Sequence, residues 1–109
     1  MLQERTHTTG WAQLFASSRT EADVVRVAND YLATWLPSDF EVLPADCRIT
    51  SLRTADDLAN AAVTFTQSEL YVAPDTPAQF VLGALSEVFI AAQLRMRQLR
   101  SPLFDPSAA

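Results

Sequence analysis

The sequence has 109 residues, of which 49% are hydrophobic and 19% are charged, and its formal net charge is -5. This balance argues against disorder and predicts one folded domain over residues 1–109. An acidic chain also disfavours unspecific nucleic-acid binding, because that binding depends on a basic face that neutralises phosphates.

The first predicted element is a short helix from Thr9 to Ser17. A polar tail, residues 1–8, precedes it and contains the sole histidine, His7. Three large apolar side chains are expected to project to one side of this helix and anchor it to the core: Trp11, Leu14 and Phe15. The polar residue that follows the helix, Ser18, is expected to be solvated.

A second helix is predicted to open at Thr20, with Asp23 three residues later in the pattern of a capping box. Asp replaces the usual Glu, so the reciprocal bond is less certain to form. Apolar residues then recur at three- and four-residue spacing, which indicates a helix: Val24, Val27, Ala28, Tyr31, Leu32 and Trp35. We expect this helix to continue to Leu36 and to end at Pro37.

Residues 37–53 are predicted to form a long connection that crosses the bundle. Phe40 and Leu43 are expected to pin it against the core. A short extended piece at 40–43 or 48–52 is left open, although no sheet is expected.

A third helix is predicted to open at Thr54, with Asp57 in the same capping pattern, and to run to about Tyr71. Two neighbouring apolar stripes follow from helical spacing: Leu58, Ala62 and Phe65, and beside them Ala59, Val63 and Leu70. Residues 63–72 also have strand propensity. Helix is favoured, because the capped start and the Ala-rich turns are hard to reconcile with a strand.

The last helix is predicted to span residues 76–100, with Thr76 as its cap, Pro77 in its first turn and Pro102 beyond its end. One stripe of this helix is expected to face the core: Val81, Ala84, Leu85, Val88, Phe89, Ala92, Met96 and Leu99. The opposite side is also apolar, with Phe80, Ile90 and Leu94, Gly83 between them and Glu87 at the margin.

A surface helix normally has a polar back, so an apolar back predicts a second layer of protein. That layer is either another helix of the chain or another copy of the chain. Membrane insertion is disfavoured, because the uninterrupted apolar run is shorter than the ~20 residues of a span and carries Glu87 near its middle.

The residues offer few groups for catalysis. Cys47 is the one candidate nucleophile, and we expect it to be packed under the connection, because only Arg48 beside it would favour a thiolate. Carboxylates in the opening turns of helices, such as Asp23 and Asp57, are explained by capping. The sequence lacks zinc-type and Glu-x-x-His spacings, so we predict no catalytic residue, no metal site and no cofactor.

Three arginines lie near the end of the last helix: Arg95, Arg97 and Arg100. They point in different directions around the helix and form a basic end rather than one stripe. This end complements the negative end of the helix dipole and is expected to be solvated.

Together these elements predict an all-α fold, an irregular four-helix bundle with one short N-terminal helix and three longer ones around the central C-terminal helix. The tails, residues 1–8 and 101–109, are expected to be flexible. We expect a non-enzymatic interaction protein, an adaptor or small regulator, that forms a homo-oligomer or binds a protein partner. The interface is predicted to contain Phe80, Gly83, Ile90 and Leu94.

Three alternative functions are kept. They are a nucleic-acid-associated regulator that uses the arginine end, an enzyme that uses Cys47 or the carboxylates, and a carrier of an apolar ligand. The single cysteine excludes an internal disulfide, the polar N-terminus has no signal-peptide core, and all eight cations are arginine. We therefore expect a cytoplasmic protein of bacterial character.

Overall fold

The computed structural model describes residues 10–101, and within that range every regular element is helical. The predicted tails, including His7, lie outside the described residues except for Ser101. The elements are α1 (10–16), α2 (Glu21–Leu32), α3 (Pro37–Glu41), a 3-10 turn (Ala45–Cys47), α4 (Ala55–Glu69) and α5 (Pro77–Arg100). The predicted all-α bundle around a C-terminal helix is confirmed, with α3 as an additional short helix.

Helix α1 anchors through two side chains rather than three. Phe15 is buried and Trp11 is half-buried, whereas Leu14 is 49% exposed. Trp11 and Phe15 are four residues apart and share one side of the helix, while Leu14 points about 100° away from Phe15. Ser18 is buried rather than solvated, and its hydroxyl donates to the carbonyl of Leu14 at 3.0 Å.

Helix α2 starts as predicted at Thr20, whose hydroxyl accepts a bond from the backbone N–H of Asp23 at 3.1 Å. The Asp23 carboxylate accepts from the N–H of Arg19 at 3.2 Å, so the reciprocal bond goes one residue earlier than in a standard capping box. The helix ends at Leu32 and not at Leu36. Leu36 is extended, as a residue before proline must be.

The long connection is tied to the bundle at several points. Pro37 opens the short helix α3, and the buried side chains of Phe40 and Leu43 pin the connection as predicted. Farther along, the side-chain amide of Asn29 in α2 forms hydrogen bonds with both backbone polar groups of Leu52. Its amide donates to the Leu52 carbonyl at 2.9 Å, and its oxygen accepts from the Leu52 N–H at 2.7 Å. These two bonds fix where the chain enters α4.

Helix α4 begins with a complete capping box between Thr54 and Asp57. It continues to Glu69, so most of the segment with strand propensity is helical as predicted. Leu70 lies beyond the helix and is 80% exposed, so its predicted place in an apolar stripe is wrong. The turn that follows contains Asp75, which has a left-handed φ of 62°. Asp tolerates this conformation better than most residues do.

Helices α4 and α5 form an antiparallel pair at the centre of the fold. Phe65 and Phe89 cross edge to face with ring centroids 5.0 Å apart, and both are fully buried. The predicted core stripe of α5 is largely confirmed by its buried members: Val81, Leu85, Val88, Phe89, Ala92 and Met96. Ala84 and Leu99 lie at its half-buried edges.

An aromatic cluster joins α1 to α2. The Tyr31 ring lies 5.3 Å from Trp11 and 6.2 Å from Trp35, in edge-to-face arrangements. Burial of the Tyr31 hydroxyl in this cluster raises its pKa to about 12. The folded state therefore holds the neutral phenol at a pH where an unfolded chain would ionise it.

This pKa shift predicts that the protein loses stability in alkali. The free energy of unfolding should fall by about 2 to 3 kcal/mol as the pH rises from about 10 to about 12, because only the unfolded chain releases the proton there. Urea unfolding at a series of pH values measures this fall. The variant Tyr31→Phe has no hydroxyl and should show a shallower decline; equal slopes in the two proteins would contradict the assignment.

Candidate functional site

The exposed side of α5 carries large apolar side chains. Phe80 is 53% exposed, Ile90 is 49% exposed and Leu94 is 54% exposed. With Gly83, Glu87 and Arg97 they form a continuous stripe, which we call the outer face of α5. Helices α2 and α4 cover the other sides of α5 and leave this stripe open.

Gly83, the fourth residue of the predicted interface, lies where α5 meets the end of α4. A Cβ atom built at Gly83 would lie 3.3 Å from a carboxylate oxygen of Glu69. Glu69 therefore partly covers this position, and Gly83 is half-buried. Because glycine has no side chain, Gly83 forms a depression in the outer face and offers no side-chain contact to a partner.

A shallow groove of about 190 Å³ runs along the outer face, between α4 and α5. Its walls are Ala62, Val63 and Thr66 from α4, and Ile90, Gln93, Leu94 and Arg97 from α5. Val63 was expected in an apolar stripe of α4, yet it is 50% exposed. It extends the apolar surface of Ile90 and Leu94 sideways onto the neighbouring helix.

Two charged residues belong to the outer face, and they have opposite signs. Glu87 and Arg97 are both exposed. In the described part of the chain neither of them forms an ion pair. They are ten residues apart, which on a helix is about 15 Å, so they cannot pair within one copy.

The predicted solvated arginine end is wrong for Arg95. This side chain is only 9% exposed, and its Nε donates to the carbonyl of Ser18 at 2.8 Å. Arg100 reaches a carboxylate oxygen of Glu21 at 2.8 Å. Both arginines thus hold the end of α5 against the start of α2, because α2 begins directly beside the last turns of α5. Arg97 alone of the three points outward without such a contact.

The carboxylates near helix starts have the electrostatics of capping groups. The backbone N–H of Arg19 lowers the pKa of Asp23, and the N–H groups of Arg53 and Thr54 lower the pKa of Asp57. The hydrogen bond from Arg100 likewise lowers the pKa of Glu21. Each shift favours the ionised carboxylate, which is the opposite of what a general acid at neutral pH requires.

Cys47 is fully buried in the 3-10 turn, as expected for a packed side chain. A second open groove of about 310 Å³ lies between residues 49–53 and α4, with polar and apolar residues in its walls. Within residues 10–101, no group of three or more His, Cys, Asp or Glu side chains could hold a metal ion.

Among the described helices, α5 alone is long and apolar enough to cross a membrane by length and composition, with a mean hydropathy of 1.3 over its most apolar 18 residues. The whole of α5 is thus long enough to span a membrane, whereas the uninterrupted apolar run within it is too short. The central helix of a folded core meets the same criterion, and 39% of this stretch is buried inside the domain.

Comparisons with known proteins do not assign the chain to a family. The chain matches no protein-family model, no curated protein and no solved structure. The fold defines an all-α domain with an uncovered apolar helix face, and any functional inference depends on the geometry of that face.

Sequence reasoning missed two features of this region. The exposure of Val63 could have been inferred from its position, about 100° from Ala62 and about 160° from Phe65 around α4, which places it outside the buried stripe. The burial of Arg95 had one usable signal. Arg95 lies about 20° from Val88 and about 40° from Leu99 around the helix, and both belong to the predicted core stripe, so Arg95 shares their side of α5.

Proposed function

We propose that this protein is a non-enzymatic interaction protein that self-associates through the outer face of α5. The observation that carries the proposal is the row of three large, half-exposed apolar side chains: Phe80, Ile90 and Leu94. Val63 of α4 widens the row beside the groove. Burial of such surface against another protein removes it from water, which is the dominant favourable contribution in most protein association.

The continuity of the apolar surface supports an interaction role. Single exposed apolar residues are common on soluble proteins, whereas large contiguous apolar patches mark interaction sites. Here Ile90, Leu94 and Val63 line one continuous groove. The charged residues of this face, Glu87 and Arg97, lie on either side of Ile90 and Leu94 along the helix, and Phe80 lies beyond Glu87 toward the start of α5.

Light scattering over a concentration series tests the proposal. The chain has a mass of 12.0 kDa, and we expect a mass of about twice that value at high concentration. Leu94→Glu should return the protein to the monomer mass, because it places a charge in the apolar centre of the face. A wild-type protein that stays monomeric throughout would overturn the proposal.

A matched control separates the face from general surface effects. Leu14 on α1 is 49% exposed, close to the 54% of Leu94, and it lies outside the outer face. Leu14→Glu should leave the association unchanged. If Leu14→Glu weakens association as much as Leu94→Glu does, the interface lies elsewhere or involves both helices.

A further inference from the structure

The outer face of α5 has the spacing of a coiled-coil seam. Its members follow one another at intervals of three, four, three, four and three residues: Phe80, Gly83, Glu87, Ile90, Leu94 and Arg97. This alternation is the heptad repeat in which positions a and d face a partner helix. Side chains with this spacing pack against another helix at a shallow crossing angle of about 20°.

The two charges on this seam decide the direction of the partner helix. In a parallel pair of two copies, identical positions meet, so Glu87 would face Glu87 and Arg97 would face Arg97 of the second copy. Like charges opposite each other are destabilising. In an antiparallel pair centred between Ile90 and Leu94 of the outer face, Glu87 lies at the level of Arg97 of the second copy, and Ile90 lies at the level of Leu94.

We infer that two copies of this chain pair α5 antiparallel through a two-fold axis that crosses the outer face between Ile90 and Leu94, with Glu87 of each copy bonded to Arg97 of the other. This inference rests on the proposed self-association and specifies its geometry. A two-fold interface is self-complementary, so one Glu–Arg contact necessarily occurs twice. The two ion pairs flank the apolar layers formed by Ile90 and Leu94.

The structure supports the availability of both charges. Both side chains are exposed, and no residue three or four positions from Glu87 along α5 is charged. Of the other two arginines at the end of α5, Arg100 contacts Glu21. Arg95 is buried against Ser18 and faces away from the outer face. Arg97 is therefore the one arginine of the α5 end that is positioned to meet Glu87 of a second copy.

Charge reversal tests the pairing. Each single variant, Glu87→Arg or Arg97→Glu, places two like-charged contacts in the dimer and should raise the dimer dissociation constant by at least about tenfold. The double variant E87R/R97E restores opposite charges and should return the constant to within about threefold of the wild-type value. Sedimentation equilibrium at low salt measures all four constants, because salt screens exposed ion pairs.

The outcomes distinguish the pairing from the proposed function itself. A wild-type chain that is monomeric at all concentrations overturns both. A dimer that Leu94→Glu disrupts, but in which the double variant is as weak as the single ones, overturns the antiparallel pairing and leaves the interaction surface standing. The neutral variant Glu87→Gln provides a second readout. It should weaken the antiparallel dimer, whereas tighter association would indicate a parallel one.

Discussion

Phe89→Ala should lower the free energy of unfolding by about 3 to 5 kcal/mol, the largest effect expected of any single substitution considered. Phe89 is fully buried in the middle of α5, and its ring meets Phe65 of α4 at 5.0 Å. Alanine removes the ring and leaves a cavity at the contact between the two central helices. Because small domains have a total stability of about 5 to 15 kcal/mol, this loss is a large fraction of the stability of the protein.

Phe80→Ala is the matched control, since it removes the same side chain from the same helix at a position that is 53% exposed. It should cost less than about 1 kcal/mol. Urea unfolding followed by circular dichroism measures both variants, at a dilution where light scattering gives the monomer mass. Equal losses at Phe80 and Phe89 would show that the core does not lie where the structure places it.

Arg95→Ala should lower the free energy of unfolding by about 2 to 4 kcal/mol. The substitution removes a buried guanidinium that donates to the carbonyl of Ser18, and it also removes the packed alkyl stem. Ser18 lies between α1 and α2, so the joint of these helices would lose its bond to α5. Arg95→Met retains much of the stem and should cost less than the alanine variant.

Arg97→Ala is the control for this prediction, because Arg97 is an exposed arginine two residues away on the same helix. It should change the stability of the monomer by less than about 0.5 kcal/mol. Thermal or urea unfolding compares the three variants. If Arg95→Ala and Arg97→Ala lower the free energy of unfolding equally, the contact of Arg95 with Ser18 does not stabilise the fold. The arginine end would then be a candidate site for an acidic partner.

The helix starts illustrate how far local chemistry carries a prediction. Each of the helices α2, α4 and α5 starts at a threonine whose hydroxyl accepts a hydrogen bond from the backbone N–H of the residue three positions later, as the capping patterns indicate. These threonines are Thr20, Thr54 and Thr76. These bonds span only three residues, so no distant part of the chain can alter them greatly. The core stripe of α5 follows from helical spacing for the same reason.

Other elements depend on contacts between distant segments. The connection folds into α3 and a 3-10 turn, and Asn29 holds Leu52 from 23 residues away. Helical spacing cannot indicate such a partner, because the pattern of apolar residues within α2 carries no information about which distant segment lies beside Asn29. The exposure of Leu14, by contrast, follows from local helix geometry, since Leu14 lies about 100° from Phe15 around α1.

The sequence predicts the α5 part of the candidate site. Phe80, Ile90 and Leu94 were assigned to the apolar back of the last helix, and they lie on the exposed side of α5. The sequence did not indicate that Val63 extends this surface, because that depends on how far α4 rolls around α5. It also left open whether a helix of the same chain would cover the face.

Local residue patterns predict where the long helices begin, which stripe of α5 enters the core, and that α5 is apolar on two sides. These properties follow from side chains within a few residues of one another, where helix geometry fixes their relation. Contacts between distant segments account for the burial of Arg95, for the contact of Arg100 with Glu21 and for the outward direction of Arg97. Those outcomes depend on where α1 and α2 dock against the end of α5, nearly 80 residues later in the chain.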